Sequence, residues 1–177
     1  MNRPDGVAAV PAVTNHVTAK EVVMNQDKLK EYLDSHGVKY VVISHSLGYT
    51  SQEVAHSAHV PTDQLAKTVI VKIDGRLCMA VLPASHKVDL HLLRDVTGAK
   101  KVELATEEEF VGNFHGCEVG AMPPFGNIYG MDVFASEFLA EQEEIAFNAC
   151  SHREVIKMTY RDFARLVQPK VIELAEP

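Results

Sequence analysis

The chain has 177 residues, about one domain, of which 46% are hydrophobic and 23% charged; this excludes a disordered or fibrous class and allows one buried core without disulfide staples. A formal net charge of -7 speaks against a broad polyanion binder. It leaves room for a pocket that grips one end of a nucleic acid with a few local cations.

Residues 1–18 read as a flexible N-terminal tail. MNRPDGVAAVPAVTN carries one arginine and two prolines and lacks the apolar stretch of a signal peptide. A helix is predicted over about 19–35, with Val23, Leu29, Tyr32 and Leu33 as its apolar face and Gly37 at its end. VKYVVIS, residues 38–44, reads as a strand. Thr50 and Glu53 have capping-box spacing and should open a short helix to about His59. KTVIVKI, Asp74-Gly75 and RLCMAVL form a β-hairpin, because Asp-Gly tolerates the positive φ angles of a type I′ turn.

A short helix over about 88–96 follows, then a strand at 101–104 and a second capping box, Thr106 with Glu109, opening a helix to about Phe114. Residues 115–130 hold so many glycines and prolines that a shaped loop is required. Strands are predicted over 131–134, 144–149 and 154–158, and Thr159 caps a last helix over 160–167. VIELAEP, residues 171–177, is taken as a C-terminal tail. The irregular interleaving of helices and strands predicts a single compact α+β domain with a mixed, mainly antiparallel sheet and flanking helices, not a doubly wound parallel sheet.

The apolar runs fall short of the ~18 residues of a membrane span, so no membrane partner is expected. The cysteines, Cys78, Cys117 and Cys150, are odd in number and lack C-x-x-C spacing. That argues against a disulfide framework or structural zinc and points to a reducing, cytoplasmic setting. His45, His56 and His59 lie close in sequence without a clear ligand spacing, so neither metal nor cofactor is expected. No G-x-S-x-G elbow, P-loop or G-x-G-x-x-G fingerprint occurs. Cys150 reads first as a buried side chain.

Two features stand out. Lys67 enters an otherwise apolar strand, where its ammonium must reach solvent, a partner or a ligand. The loop GCEVGAMPPFG, residues 116–126, either joins a helix to a strand rigidly or presents backbone N–H groups to a carbonyl oxygen or phosphate.

QLAKTVIVK, the loop Gly120-Ala121-Met122-Pro123-Pro124-Phe125-Gly126 and FNACSHREVIKMTYRDFARLV occur in one order. Together they resemble the YbaK/prolyl-tRNA-synthetase-associated domain family of aminoacyl-tRNA editing proteins, from about Lys39 to Val167. Residues 19–170 are therefore taken as the editing domain. The resemblance implies a partly barrel-like sheet and hydrolysis, in trans, of the ester joining a wrong amino acid to the tRNA 3′ end, with prolyl tRNA carrying alanine or cysteine as the best-known substrate. By position, Lys67 matches the family's functional lysine, Gly120 and Pro124 the ends of its Gly-x-x-x-Pro motif, and His152 the histidine after the late strand. Two departures from the family pattern bear on the pocket and its specificity: Ala149 and Cys150 lie where members often carry glycine, and Thr68 where some members with alanine specificity carry asparagine.

On this basis Lys67, Gly120 and His152 are the catalytic candidates. Lys67 would meet the terminal phosphate or the oxyanion, amides around Gly120 the carbonyl or the water, and His152 substrate or water. Thr68, Met79, Met122, Pro124, Phe125 and Gly126 are assigned to substrate binding, although patterning also gives Met79, Val81 and Met122 a core reading. The expected partners are the aminoacyl-tRNA 3′ end and an aminoacyl-tRNA synthetase. The alternatives are a non-catalytic tRNA- or synthetase-binding module of the same fold, a small-molecule hydrolase or nucleotide-binding protein using the same pocket, and a plain α+β domain.

Overall fold

The computed structural model describes residues 23–177. The expected N-terminal tail, and the first turn of the helix expected from residue 19, lie outside them. Helix α1 (Gln26–Ser35) opens at Asn25, whose side chain accepts the Lys28 N–H at 2.9 Å. Leu29 and Leu33, four apart on one face, are wholly buried. Strand β1 (Tyr40–Ser44) leads to helix α2 (Ser51–Ser57), with the Thr50/Glu53 capping box formed as expected. Strands β2 (Leu65–Ile73) and β3 (Arg76–Pro83) make the hairpin. Its turn residues Asp74 and Gly75 both take positive φ, +48° and +83°, as a type I′ turn requires.

Then come β4 (Lys87–Val88), α3 (Leu90–Thr97), β5 (Val102–Leu104) and α4 (Glu107–Phe110). The helix expected to run to Phe114 tightens to a 3-10 turn over Val111–Asn113. After the glycine loop come a 3-10 turn (Gly126–Tyr129), β6 (Val133–Ser136), α5 (Glu137–Ala140), β7 (Glu144–Asn148), β8 (Glu154–Thr159) and α6 (Tyr160–Val167). Thr159 caps α6 by accepting the Asp162 N–H. The chain ends in β9 (Lys170–Ile172) and β10 (Ala175–Glu176).

The main sheet runs β1-β8-β7-β2-β3-β6-β9, with β5 also paired to β2. The β1/β8, β8/β7, β2/β3 and β2/β5 pairs are antiparallel; β2/β7, β3/β6 and β6/β9 are parallel. This is the mixed, mainly antiparallel α+β architecture read from the sequence. One face carries the largest core cluster, including Leu29, Leu33, Met79, Phe125, Phe147 and Phe163. The other face carries two smaller clusters, one under α2 with Val54, Leu65, Ala146 and Val155, and one under α3 with Val71, Ala80, Leu82 and Leu93.

Two expectations are corrected. Residues 171–177 do not trail as a tail: β9 lies parallel to β6, β10 pairs with β4, and Leu174 is wholly buried, its carbonyl taking the Asp89 N–H at 2.8 Å. Cys117 and Cys150 are joined in a disulfide across 33 residues, while Cys78 is free and buried. Spacing rules see only neighbours in sequence. Here the fold itself brings the glycine loop onto the turn after β7.

Candidate functional site

The turn between β7 and β8, residues 149–153, and the glycine loop are stitched together reciprocally. The Glu118 N–H donates to the Cys150 carbonyl at 3.0 Å, and the His152 N–H donates to the Glu118 Oε2 at 2.9 Å. The His152 ring, nearly buried, donates its Nε2–H to the Val119 carbonyl at 2.8 Å. That bond leaves Nδ1 of the neutral ring as a lone pair, and Nδ1 is buried with no protein partner. Gly120 lies directly beside this ring: a Cβ there would stand 3.4 Å from His152 Cε1, and φ is +84°. The Gly120 N–H is turned to the thioether of Met122 at 3.2 Å, a weak acceptor. The predicted pair Gly120 and His152 is thus in contact, offering one loosely held donor and one free acceptor.

From the other side the segment after β1 closes on the same turn. The His45 and Gly48 N–H groups donate to the Arg153 and His152 carbonyls at 2.8 and 3.3 Å. The Tyr49 ring, 72% exposed, lies 5.4 Å from that of His152, centroid to centroid. Tyr49 is held there by its own N–H, which donates to the capping carboxylate of Glu53 at 2.9 Å.

Lys67 reaches the site from β2. Alternation along β2 sets Lys67 on the face of Leu65, Val69 and Val71, and sets Thr68 on the opposite face with Ala66 and Ile70. The half-buried ammonium donates to the His86 carbonyl, which leaves two N–H groups for a ligand. Burial, and then the charge of Lys87, hold its pKa below the usual lysine value. The connection from Lys67 to the histidine turn runs through β7. The ladder between β2 and β7 stops at Ala66 opposite Phe147, so Lys67 and Asn148 occupy the next step. Beyond it the turn to His152 begins. Lys67 to Val69 pair with β3 on one side only, in a gap between the β7 and β5 ladders. Thr68 lies in that open edge.

The remaining predicted site residues divide. Met122 and Pro124 are buried within the loop that bears Gly120. Met79 and Phe125 are wholly enclosed in the large core cluster, and a Cβ on Gly126 would meet Val133 Cγ2 at 2.5 Å and the Met131 carbonyl at 2.8 Å. Protein surrounds these three on all sides. Substrate contact through them is therefore set aside; they brace the loop from beneath. Asn148, His45 and Tyr49 were missed. Asn148 and His45 each hold a buried acceptor without a partner, Oδ1 and Nε2. Asn148 stands inside the FNACSH stretch, where His152 drew the attention, and His45 sits in no motif; the three-dimensional register is what reveals both.

Behind the loop a cavity of about 330 Å³ is lined by Asn25, Gln26, Asp27, Gly116, Glu118, Cys150 and Ser151. Among the described residues no three His, Cys, Asp or Glu side chains gather to hold a metal, and no helix is long and apolar enough to cross a membrane.

The fold thus seats a glycine loop on a histidine turn at one end of a mixed sheet. The aminoacyl-tRNA editing domain matches residues 45–166, and this chain belongs to that family. It is 29% identical over 159 residues to the multifunctional Ser/Thr-tRNA deacylase ProXp-y of Escherichia coli (strain K12), covering 87% of this chain and 94% of that one. It is 30% identical over 100 residues to the proline–tRNA ligase of Bacillus cereus (strain G9842), covering 56% of this chain but 17% of the ligase. The fold matches that of a candidate trans-editing enzyme for prolyl tRNA synthetase with a TM-score of 0.72 at 21% identity, over 86% of this chain and 97% of the other.

Proposed function

We propose that this protein hydrolyses the ester between a misattached amino acid and the 3′ end of tRNA, acting in trans. One observation carries the reading beyond family membership. At the Gly120–His152 contact, an amide N–H held only by a thioether belongs to a glycine packed on the Cε1–Nε2 edge of an imidazole whose buried Nδ1 has nothing to accept from. Hydrolysis of an activated ester needs little more: a donor for the oxyanion and an acceptor for the attacking water. The Gly120 N–H leaves the Met122 sulfur for the oxyanion. His152 Nδ1 orients the water, and the Val119 carbonyl fixes the tautomer that makes this possible. Water adds to the ester carbon, the terminal ribose oxygen leaves with a proton, and the products are free amino acid and uncharged tRNA.

Lys67, with two N–H groups unspent, holds a phosphate oxygen of the tRNA end and not the oxyanion, since its ammonium is turned to His86. The esters this reading favours carry small residues: alanine or cysteine on the proline tRNA, to which the name of the Escherichia coli relative adds serine and threonine. A pocket of fixed size rejects bulkier cognate residues by steric exclusion, which one methylene of binding energy cannot do. A proline–tRNA synthetase is the partner this reading favours.

The test is release of free amino acid from alanyl-, cysteinyl-, seryl-, threonyl- and prolyl-tRNA, by wild type, Lys67→Ala and His152→Ala. Release from the small esters, with prolyl-tRNA spared and both variants slowed at least tenfold, supports the proposal. Protection of every ester by the wild type would establish a binding module instead.

A further inference from the structure

Asn148 is the last residue of β7, and its position is defined across four strands. Ile43 on β1 faces Val155 on β8, and Val155 faces Asn148 on β7. Lys67 on β2 is one step past the final β2/β7 pair, next to Asn148. Alternation from Leu65 and Ala146, which pack in one cluster with Val155, puts the Lys67 and Asn148 side chains on the same face. The row is apolar at one end and polar at the other. Around it lie small or short side chains: Val54, Ala55, Ala58, Ala84 and Ala146. Within that surrounding the Oδ1 of Asn148 is buried and accepts nothing from the protein. A buried amide oxygen left unpaired costs free energy, so it marks a place where a partner belongs.

We infer that Asn148 is a substrate-reading residue that takes the hydrogen bond of a substrate hydroxyl in the Lys67 corner of the site. This rests on the deacylase reading above and names a polar contact within it. Charge decides against an ammonium as the donor. Lys67 is adjacent in the row, and Lys87 is near enough to act on Lys67 electrostatically. A third cation would be repelled. A hydroxyl is neutral, and because it both donates and accepts it pairs with the amide in either orientation. Two substrate groups carry that chemistry: the side-chain hydroxyl of a misattached serine or threonine, and the free ribose hydroxyl of the terminal adenosine.

The experiment compares kcat/KM of wild type, Asn148→Ala and Asn148→Ser on seryl- and alanyl-tRNA, with a parallel alanyl-tRNA whose terminal ribose lacks the free hydroxyl. If the amino-acid hydroxyl is read, Asn148→Ala loses at least tenfold on seryl-tRNA and less than threefold on alanyl-tRNA. If the ribose hydroxyl is read, both esters lose at least tenfold, and wild type loses as much on the deoxy substrate while Asn148→Ala shows no further loss. Either pattern supports the inference. Asn148→Ser, which keeps a polar group in less volume, should recover part of the loss, whereas a residue needed only for packing would gain nothing from it. Should Asn148→Ala not fold, the wild-type comparisons of serine with alanine and of ribose with deoxyribose carry the test alone; no difference in either overturns the inference. So does a folded Asn148→Ala within threefold of wild type on every ester. Those outcomes leave wild-type hydrolysis standing, whereas a wild type inactive on all esters overturns the deacylase reading itself and this inference with it.

Discussion

The imidazole of His152 rests against the α-carbon of Gly120 so closely that a methyl group there would touch Cε1 at 3.4 Å, with the backbone in the left-handed region. Gly120→Ala therefore meets two obstacles, a strained φ of +84° and pressure on the ring. The strain costs about 1–2 kcal/mol. The larger effect falls on catalysis, because the Gly120 N–H and His152 Nδ1 must keep their relative placement. Deacylation should fall at least tenfold while the protein stays folded. Gly126→Ala is the control: its methyl enters the core against Val133, so it should destabilise by about 1–3 kcal/mol and leave the activity of the folded fraction near normal. Urea unfolding beside single-turnover deacylation separates the two.

Lys67 gives a pH prediction with a definite sign. Burial first, and Lys87 second, depress its pKa in the folded protein. The cationic form is therefore disfavoured by folding, and the cost is fully present below the folded pKa. It fades as pH rises from that value to the ordinary lysine value, since there the unfolded chain binds more protons. If the Lys67 ammonium holds a tRNA phosphate, affinity for uncharged tRNA should fall on the alkaline side, starting below the ordinary lysine range. Lys87→Met removes the like charge and should move that limb to higher pH. Fluorescence anisotropy with uncharged tRNA reads this without alkaline loss of the ester. An unmoved limb in Lys87→Met would separate the binding from Lys67.

Local chemistry was legible wherever one short stretch decides the outcome. Thr50 with Glu53, Thr106 with Glu109, Asp74-Gly75 and Thr159 each fixed an element boundary, because caps and tight turns are satisfied within four residues. Gly120 and His152 were picked out in sequence, and they touch in the structure. What stayed hidden depends on pairing between distant segments. The direction of the Lys67 ammonium follows from which face of β2 covers α2 and which covers Phe125, and no run of seven residues encodes that. Asn148 acquires its place only when β7 lies beside β2. Cys117 and Cys150 meet only when the loop folds onto the turn, and VIELAEP looks like a tail until β10 finds β4.

The Cys117–Cys150 bond ties the glycine loop to the turn that carries His152, closing a span of 33 residues. In the chain-entropy account a loop of that size is worth about 3–4 kcal/mol. Reduction with dithiothreitol should lower the free energy of unfolding by up to that amount, and the double variant Cys117→Ser/Cys150→Ser should reproduce the loss and be indifferent to reductant. Mass spectrometry after alkylation under denaturing conditions counts the thiols: one alkylated cysteine, Cys78, before reduction and all three after. Three labelled cysteines in the untreated protein would remove the bond from any account of its stability.

The end of the chain offers the plainest test of the fold. Leu174 is wholly buried with Leu82, Leu93 and Phe134, and Ala175 beside it joins the same cluster, although Glu173 and Glu176 on either side are exposed. Its carbonyl also receives the N–H of Asp89, the residue that caps α3 with its carboxylate. Truncating Leu174 to alanine opens a cavity at the junction of α3, β3 and β6, and buried Leu→Ala changes cost about 2–5 kcal/mol. Replacing the exposed Val171 by alanine removes a side chain that is 48% exposed and should cost less than about 1 kcal/mol. Because the Leu174 cluster lies on the α3 side of the sheet, away from Gly120 and His152, the folded Leu174→Ala protein should retain the wild-type rate at temperatures well below its unfolding midpoint. Thermal unfolding and deacylation measured on the same samples read both quantities, and equal stability of Leu174→Ala and Val171→Ala would show that the chain end is not packed as described.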